Sequence, residues 1–143
     1  MTTELSIQAI HQGGMSVLIE ADGHRVQSDY PIPGDDPTLG MTSLQLLLGA
    51  LGSCSANGLN ALLRRDGILL ESLVVKATGT RRDTHPTVLE SIHLEFQVSG
   101  TGLDPAHLER TLDIAESRIC PVWVMVGAST PITRNLVVSE VAP

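Results

Sequence analysis

The segment that most constrains this chain is residues 42–65, TSLQLLLGALGSCSANGLNALLRR. It predicts one long helix whose middle turns are almost wholly apolar or small. Thr42 suits the N-cap and Gln45 can reach back to it in a capping box, with Met41 and Leu46 placed as a hydrophobic staple. Arg64 and Arg65 complement the negative end of the helix dipole, and Gly67 fits the left-handed position beyond a terminus. Leu44, Leu47, Leu51, Cys54, Gly58 and Leu62 recur at three- and four-residue steps, and Leu48, Ala50, Leu59 and Leu63 cover much of the rest. A helix apolar nearly all round is a buried one. Its glycines cost about 1 kcal/mol each relative to alanine. That cost is reasonable where the helix lies close against another backbone, across a sheet or against a symmetry mate. Cys54 is therefore expected on a buried element with a crowded partner.

The rest of the chain predicts strands around this helix. Residues 4–10, 15–20 and 25–28 form a meander with turns at His11 to Gly14 and Ala21 to His24, followed by an irregular loop over 29–39. Strands follow at 73–79 and 88–99, the second with Ile92, Leu94, Phe96 and Val98 on its apolar side, and the two are expected to pair. Asp104-Pro105 starts an amphipathic helix with Leu108, Leu112, Ala115 and Ile119 inward and Glu109, Arg110, Asp113 and Glu116 on a wet face. Cys120 caps a short apolar helix that stops at Gly127, and a strand over 131–140 ends the pattern. One long hydrophobic helix and one amphipathic helix against antiparallel strands make an α+β arrangement in a single domain, residues 1–143.

Composition narrows the chemistry. Aromatics are 2% of the chain, Tyr30, Phe96 and Trp123, which disfavours stacking on sugars or nucleobases. The net charge of -7 repels nucleic acid and anionic membranes, so neither is expected as a partner. No export signal is expected ahead of Leu5, and no apolar run is expected to reach the roughly 20 residues of a spanning helix, so the expected location is cytoplasmic. Five scattered histidines lack metal-ligand spacing, and there is no CxxC, nucleophile elbow, Walker loop or dinucleotide fingerprint, so no metal or cofactor is expected.

Two cysteines remain, either as buried small hydrophobes or as a redox pair. Cys120, immediately before Pro121, sits at a helix N-terminus, where a thiol pKa can fall below its usual ~8.5, and this is the better local argument for a thiolate. Cys54 is mid-helix, where burial favours the neutral thiol. A reactive Cys54 would need a nearby cation, with Arg25, Arg81, Arg82 and Arg118 available.

The stretch LQLLLGALGSCSANGL and the later RICPVWVM resemble the two-cysteine signature of the OsmC/Ohr family. The DGH turn at Asp22 to His24, the RRDTHP segment and the GTGLDP helix start also resemble its acidic YhfA-like branch. The resemblance spans essentially the whole chain. It implies antiparallel sheets around a long central helix in an intertwined homodimer, with a site at the subunit interface. It also implies a peroxidase of the oxidative stress response, in which Cys54 attacks an organic hydroperoxide and becomes a sulfenic acid. Cys120 then condenses with it to a disulfide that an external dithiol reductant reopens. The hydroperoxide branch carries an arginine in the first hairpin, absent from His11 to Met15 here, and a glutamate near the helix start, where this chain has Leu44 and Gln45. Stabilisation of the thiolate would then fall to Arg25, Arg82 or Arg118. Leu47, Leu51 and Val122 are expected to line a pocket favouring apolar peroxides. The alternative is an OsmC-like protein without turnover that binds a hydrophobic small molecule or senses redox state.

Overall fold

The structure is a computed structural model that describes residues 3–141. By internal contacts it divides into two compact units, Met1–Leu47 and Leu48–Pro143.

The first unit is a three-stranded antiparallel meander, β1 (Gln8–Gly13), β2 (Ser16–Ala21) and β3 (His24–Ser28). β1 lies further along the chain than its alternation predicts. A register shift between His11 and Gly13 keeps Gly13 paired with Ser16, so the turn closes on Gly14 and Met15. Glycine is needed at this corner, because Gly13 and Gly14 have φ of +109° and +55°. The next turn has positive φ at both Asp22 and Gly23, the conformation that matches strand twist in a two-residue hairpin. The loop over 29–39 is closed by Asp29, whose carboxylate accepts the Tyr30 N–H at 2.8 Å and the Leu39 N–H at 3.0 Å.

The long helix is α1 (Ser43–Arg65). Its capping box forms as expected: the Thr42 N–H donates to the Gln45 side chain at 2.8 Å, and the Gln45 N–H donates to Thr42 Oγ1 at 3.2 Å. Gly67, at φ +78°, ends it, with the Ile68 N–H returning to the Leu63 carbonyl at 2.9 Å.

In the second unit α1 covers one face of a three-stranded sheet of β4 (Ser72–Arg81), β5 (Leu89–Gly100) and β6 (Ile132–Glu140), in the order β4-β5-β6. Leu51, Leu59 and Leu63 of α1 join Ile92, Leu94, Phe96 and Val98 of β5, the side expected to be apolar, and Leu108 and Leu112 of α2 (Pro105–Ile114) in one core. β4 and β5 pair antiparallel, as expected. β6 runs parallel to β5, where antiparallel strands were expected, because the helical crossover from α2 returns the chain to the same end of the sheet.

Three further expectations are corrected. By length and composition α1 could cross a membrane, with 23 residues and a mean hydropathy of 1.4, but here its leucines supply the core. It is not buried all round in the single chain, since Gly49, Ala50, Ser53, Asn57 and Ala61 are exposed. Nor, within the single chain, do its glycines touch a backbone: Gly52 faces Val75, Gly58 faces Ala115 and Ile119, and Gly49 faces open space.

Candidate functional site

The site is built where α1 passes the end of the second helical segment. α2 begins as predicted, with Asp104 accepting the Ala106 N–H at 3.1 Å and Pro105 at the first position. It continues into a π turn, Ala115–Ile119, closed by the Cys120 N–H on the Ala115 carbonyl at 2.8 Å. The wider turn breaks the three-and-four phase. Ala115 remains buried while Ile119, expected inward, is 46% exposed, and the next residue, Cys120, points into the protein at 1% exposure. Cys120 then caps α3 (Pro121–Gly127), its sulfur accepting the Trp123 N–H at 3.3 Å.

Cys54, half-buried on α1, adjoins Cys120, and its thiol acts on the ionisation of the Cys120 thiol. Both are free cysteines. The next α1 residue, Ser55, is 2% exposed and its hydroxyl lies 3.8 Å from the Cys120 sulfur. Two cysteines distant in sequence thus share one small cluster with Ser55 and the first turn of α3.

The electrostatics overturn the local argument for Cys120. The cap geometry is present, and the Trp123 N–H favours the thiolate. Burial is the larger effect, and with the adjoining Cys54 thiol it pushes the Cys120 pKa up. Cys120 is a neutral thiol at neutral pH.

A surface cleft of about 250 Å³ opens beside Cys120, lined by Arg118, Ile119, Cys120, Pro121, Val124 and Met125. Its walls are chiefly apolar and, among the described residues, its only charge is Arg118. Of the other candidate arginines, Arg82 and Arg25 are engaged locally. Arg82 donates from Nε to the Thr84 and Pro86 carbonyls in the β4–β5 loop, and Arg25, in the first unit, pairs with Glu20 at 2.9 Å. No arginine of residues 48–141 hydrogen-bonds either sulfur. Among the expected pocket residues, Leu51 is fully buried in the core, Val122 packs against that core and Leu47 is 39% exposed on α1; Leu51 and Val122 do not line the cleft. Among the described residues no group of His, Cys, Asp or Glu is arranged to hold a metal ion.

The family model for OsmC-like proteins matches residues 34–135, which includes α1 and both cysteines. The chain belongs to the OsmC-like family. Protein YhfA of Escherichia coli K12 is 29% identical over 123 residues, covering 85% of this chain and 89% of that one. The crystal structure of an OsmC-like protein from Mycoplasma pneumoniae superposes with a TM-score of 0.84 at 19% identity, covering 96% and 99% of the two chains. An organic hydroperoxide resistance protein from Elizabethkingia anophelis superposes with a TM-score of 0.67 at 19% identity, covering 99% and 100%. At such identities the structural likeness establishes the α+β OsmC-like fold, which this chain has.

Ser55 and the π turn were not singled out in the sequence. Ser55 was in plain view beside Cys54, but mid-helix serine has no distinctive pattern, and its significance depends on which side chain lies across from it.

Proposed function

We propose that the chain reduces organic hydroperoxides with its two cysteines. The observation that carries this reading is the adjacency of Cys54 to Cys120, the cysteine that lines an apolar cleft. Cys54 is the better accessible of the two and takes the peroxidatic role. Its thiolate attacks the peroxide oxygen, the alcohol leaves with a proton, and a sulfenic acid remains. Adjacent Cys120 attacks that sulfenic sulfur as its thiol proton passes to the departing hydroxyl; the S–S bond forms, the S–O bond breaks and water leaves. A dithiol reductant then restores both thiols. Organic hydroperoxide resistance proteins and putative redox proteins among the structural neighbours agree with this theme. The cleft walls Ile119, Val124 and Met125 favour an apolar tail, and the presence of Arg118 in the lining supports a role for it beside a bound peroxide.

The working unit in this reading is a homodimer. β1 is exposed along its whole length, Ile7, Met15 and Leu39 are exposed, and the open face of α1 is small-sided, features that a second copy would cover.

Reduced protein mixed with cumene hydroperoxide and a dithiol is expected to consume peroxide, and a Cys54→Ser variant to lose that activity. Consumption no faster than the variant's would end the peroxidase reading. A second reading, redox sensing without turnover, is favoured by the lack of an arginine hydrogen bond to either sulfur in residues 48–141. It expects disulfide formation under mild peroxide without sustained consumption. Sedimentation at micromolar concentration is expected to give a dimer, and a monomer would remove the proposed interface.

A further inference from the structure

Ser55 is a buried hydroxyl that neither thiol step described above requires. It lies one residue beyond Cys54 on α1, with the Leu51 carbonyl 2.8 Å away and the Cys120 sulfur 3.8 Å away. A serine has one proton to donate and two lone pairs to offer. Oxygen is the stronger acceptor and the Leu51 carbonyl is much the closer, so the proton goes to Leu51, one helical turn back. The hydroxyl then turns a lone pair toward Cys120. A hydroxyl donating to the sulfur would favour the thiolate, and Ser55 lowers the Cys120 pKa if its proton faces that sulfur; one presenting a lone pair, as the shorter bond to Leu51 requires, favours S–H.

We propose that Ser55 is a positioning residue that accepts the Cys120 S–H and thereby reserves Cys120 as the neutral, resolving thiol. This rests on the two-thiol reading for its catalytic meaning, while the hydrogen-bond assignment itself does not depend on peroxide. Groups around the sulfur are few. α1 contributes Cys54 and Ser55, α3 contributes the Trp123 N–H, and the π turn contributes Arg118 at the cleft. Among the described residues, the one titratable group acting on the sulfur through its charge is Cys54. When Cys54 is ionised, the Cys120 S–H can also turn to that sulfur. Once Cys54 has become a sulfenic acid, Ser55 is the acceptor that still holds the Cys120 proton. On closure the Cys120 sulfur bonds to the Cys54 sulfur, the S–O bond breaks, and the thiol proton leaves with the hydroxyl as water, so no further oxidant or reductant enters this step.

The test titrates Cys120 alone. In a Cys54→Ala background it is the only cysteine, and ultraviolet thiolate absorbance against pH reports its ionisation without any hydroperoxide. Adding Ser55→Ala is expected to lower the Cys120 midpoint by about half a pH unit or more, the scale on which a hydrogen bond to one protonation state shifts a thiol. Ser55→Thr, whose hydroxyl can also bond one turn back, is expected to return the midpoint to the background value. A midpoint that rises with Ser55→Ala means Ser55 donates to the thiolate, and one that does not move means it does not act on Cys120; either overturns the assignment. Circular dichroism of the same samples confirms folding. Peroxide consumption by the wild-type chain is read separately, so failure of the peroxidase reading and failure of this assignment are distinguishable.

Discussion

Arg134→Met tests how the segment leading to Cys120 is held. Arg134 lies on β6 and its guanidinium reaches three carboxylates with three nitrogens: Nε to Glu116 at 2.7 Å, Nη1 to Glu109 at 2.6 Å and Nη2 to Asp113 at 2.5 Å. Its side chain is only 13% exposed, and although burial opposes the charge, Glu109 and Glu116 outweigh it and hold the proton more tightly than usual. The three partners differ in exposure. Glu109 and Asp113 are 50% and 67% exposed, so solvent screening limits each to about 0.5 kcal/mol. Glu116, in the π turn and 28% exposed, makes a better shielded charged hydrogen bond worth about 1.5 kcal/mol. Removing the cation also leaves like charges at four- and three-residue spacing, costing about another 0.5 kcal/mol. Methionine keeps the apolar stem, so packing changes little. The expected loss is about 3 kcal/mol, or a fall in Tm of about 6–12 °C for a chain of this size. Reversible unfolding followed by circular dichroism measures it, and the gap between the two proteins should narrow at high salt. A loss below about 1 kcal/mol, or one insensitive to salt, would refute the view that Arg134 clamps this segment.

Two other outcomes follow from the same geometry. A Cβ on Gly58 would meet Ala115 and Ile119 at an ordinary 3.6 Å, so Gly58→Ala should gain up to about 1 kcal/mol of helix propensity in a denaturant titration; destabilisation would show that α1 needs that space. The raised Cys120 pKa predicts that reduced protein is fully stabilised by this thiol below the unfolded value near ~8.5 and loses that contribution as pH rises through the folded value, at no more than about 1.4 kcal/mol per unit. Cys120→Ala should flatten that alkaline slope in urea midpoints measured against pH, and an unchanged slope would reject burial as the cause.

Some of the fold could be read directly from residue order, because local chemistry decided it. Thr42 with Gln45, Gly67, and Asp104 with Pro105 act on backbone groups within a few positions, and all three helix boundaries formed where these residues placed them. The alternation of Ile92, Leu94, Phe96 and Val98 chose the buried face of β5 for the same reason. The two cysteine contexts were legible as a pair through the family they resemble. The wet face of α2 was also legible, but its partner was not: Arg134 reaches Glu109, Asp113 and Glu116 only because β6 returns beside β5.

Tertiary structure decided what no window of sequence contains. The parallel direction of β6 depends on where a helical crossover delivers the chain. The π turn inserts extra length per turn and so exchanges Ile119 for Cys120 at the buried position. The protonation of Cys120 shows the difference most plainly. Its neighbours in sequence supply a helix cap that favours the thiolate, while its neighbours in space, Cys54 and the surrounding core, remove water and favour the thiol. Desolvation depends on everything packed around a group, and here it outweighs the single hydrogen bond that the local sequence provides.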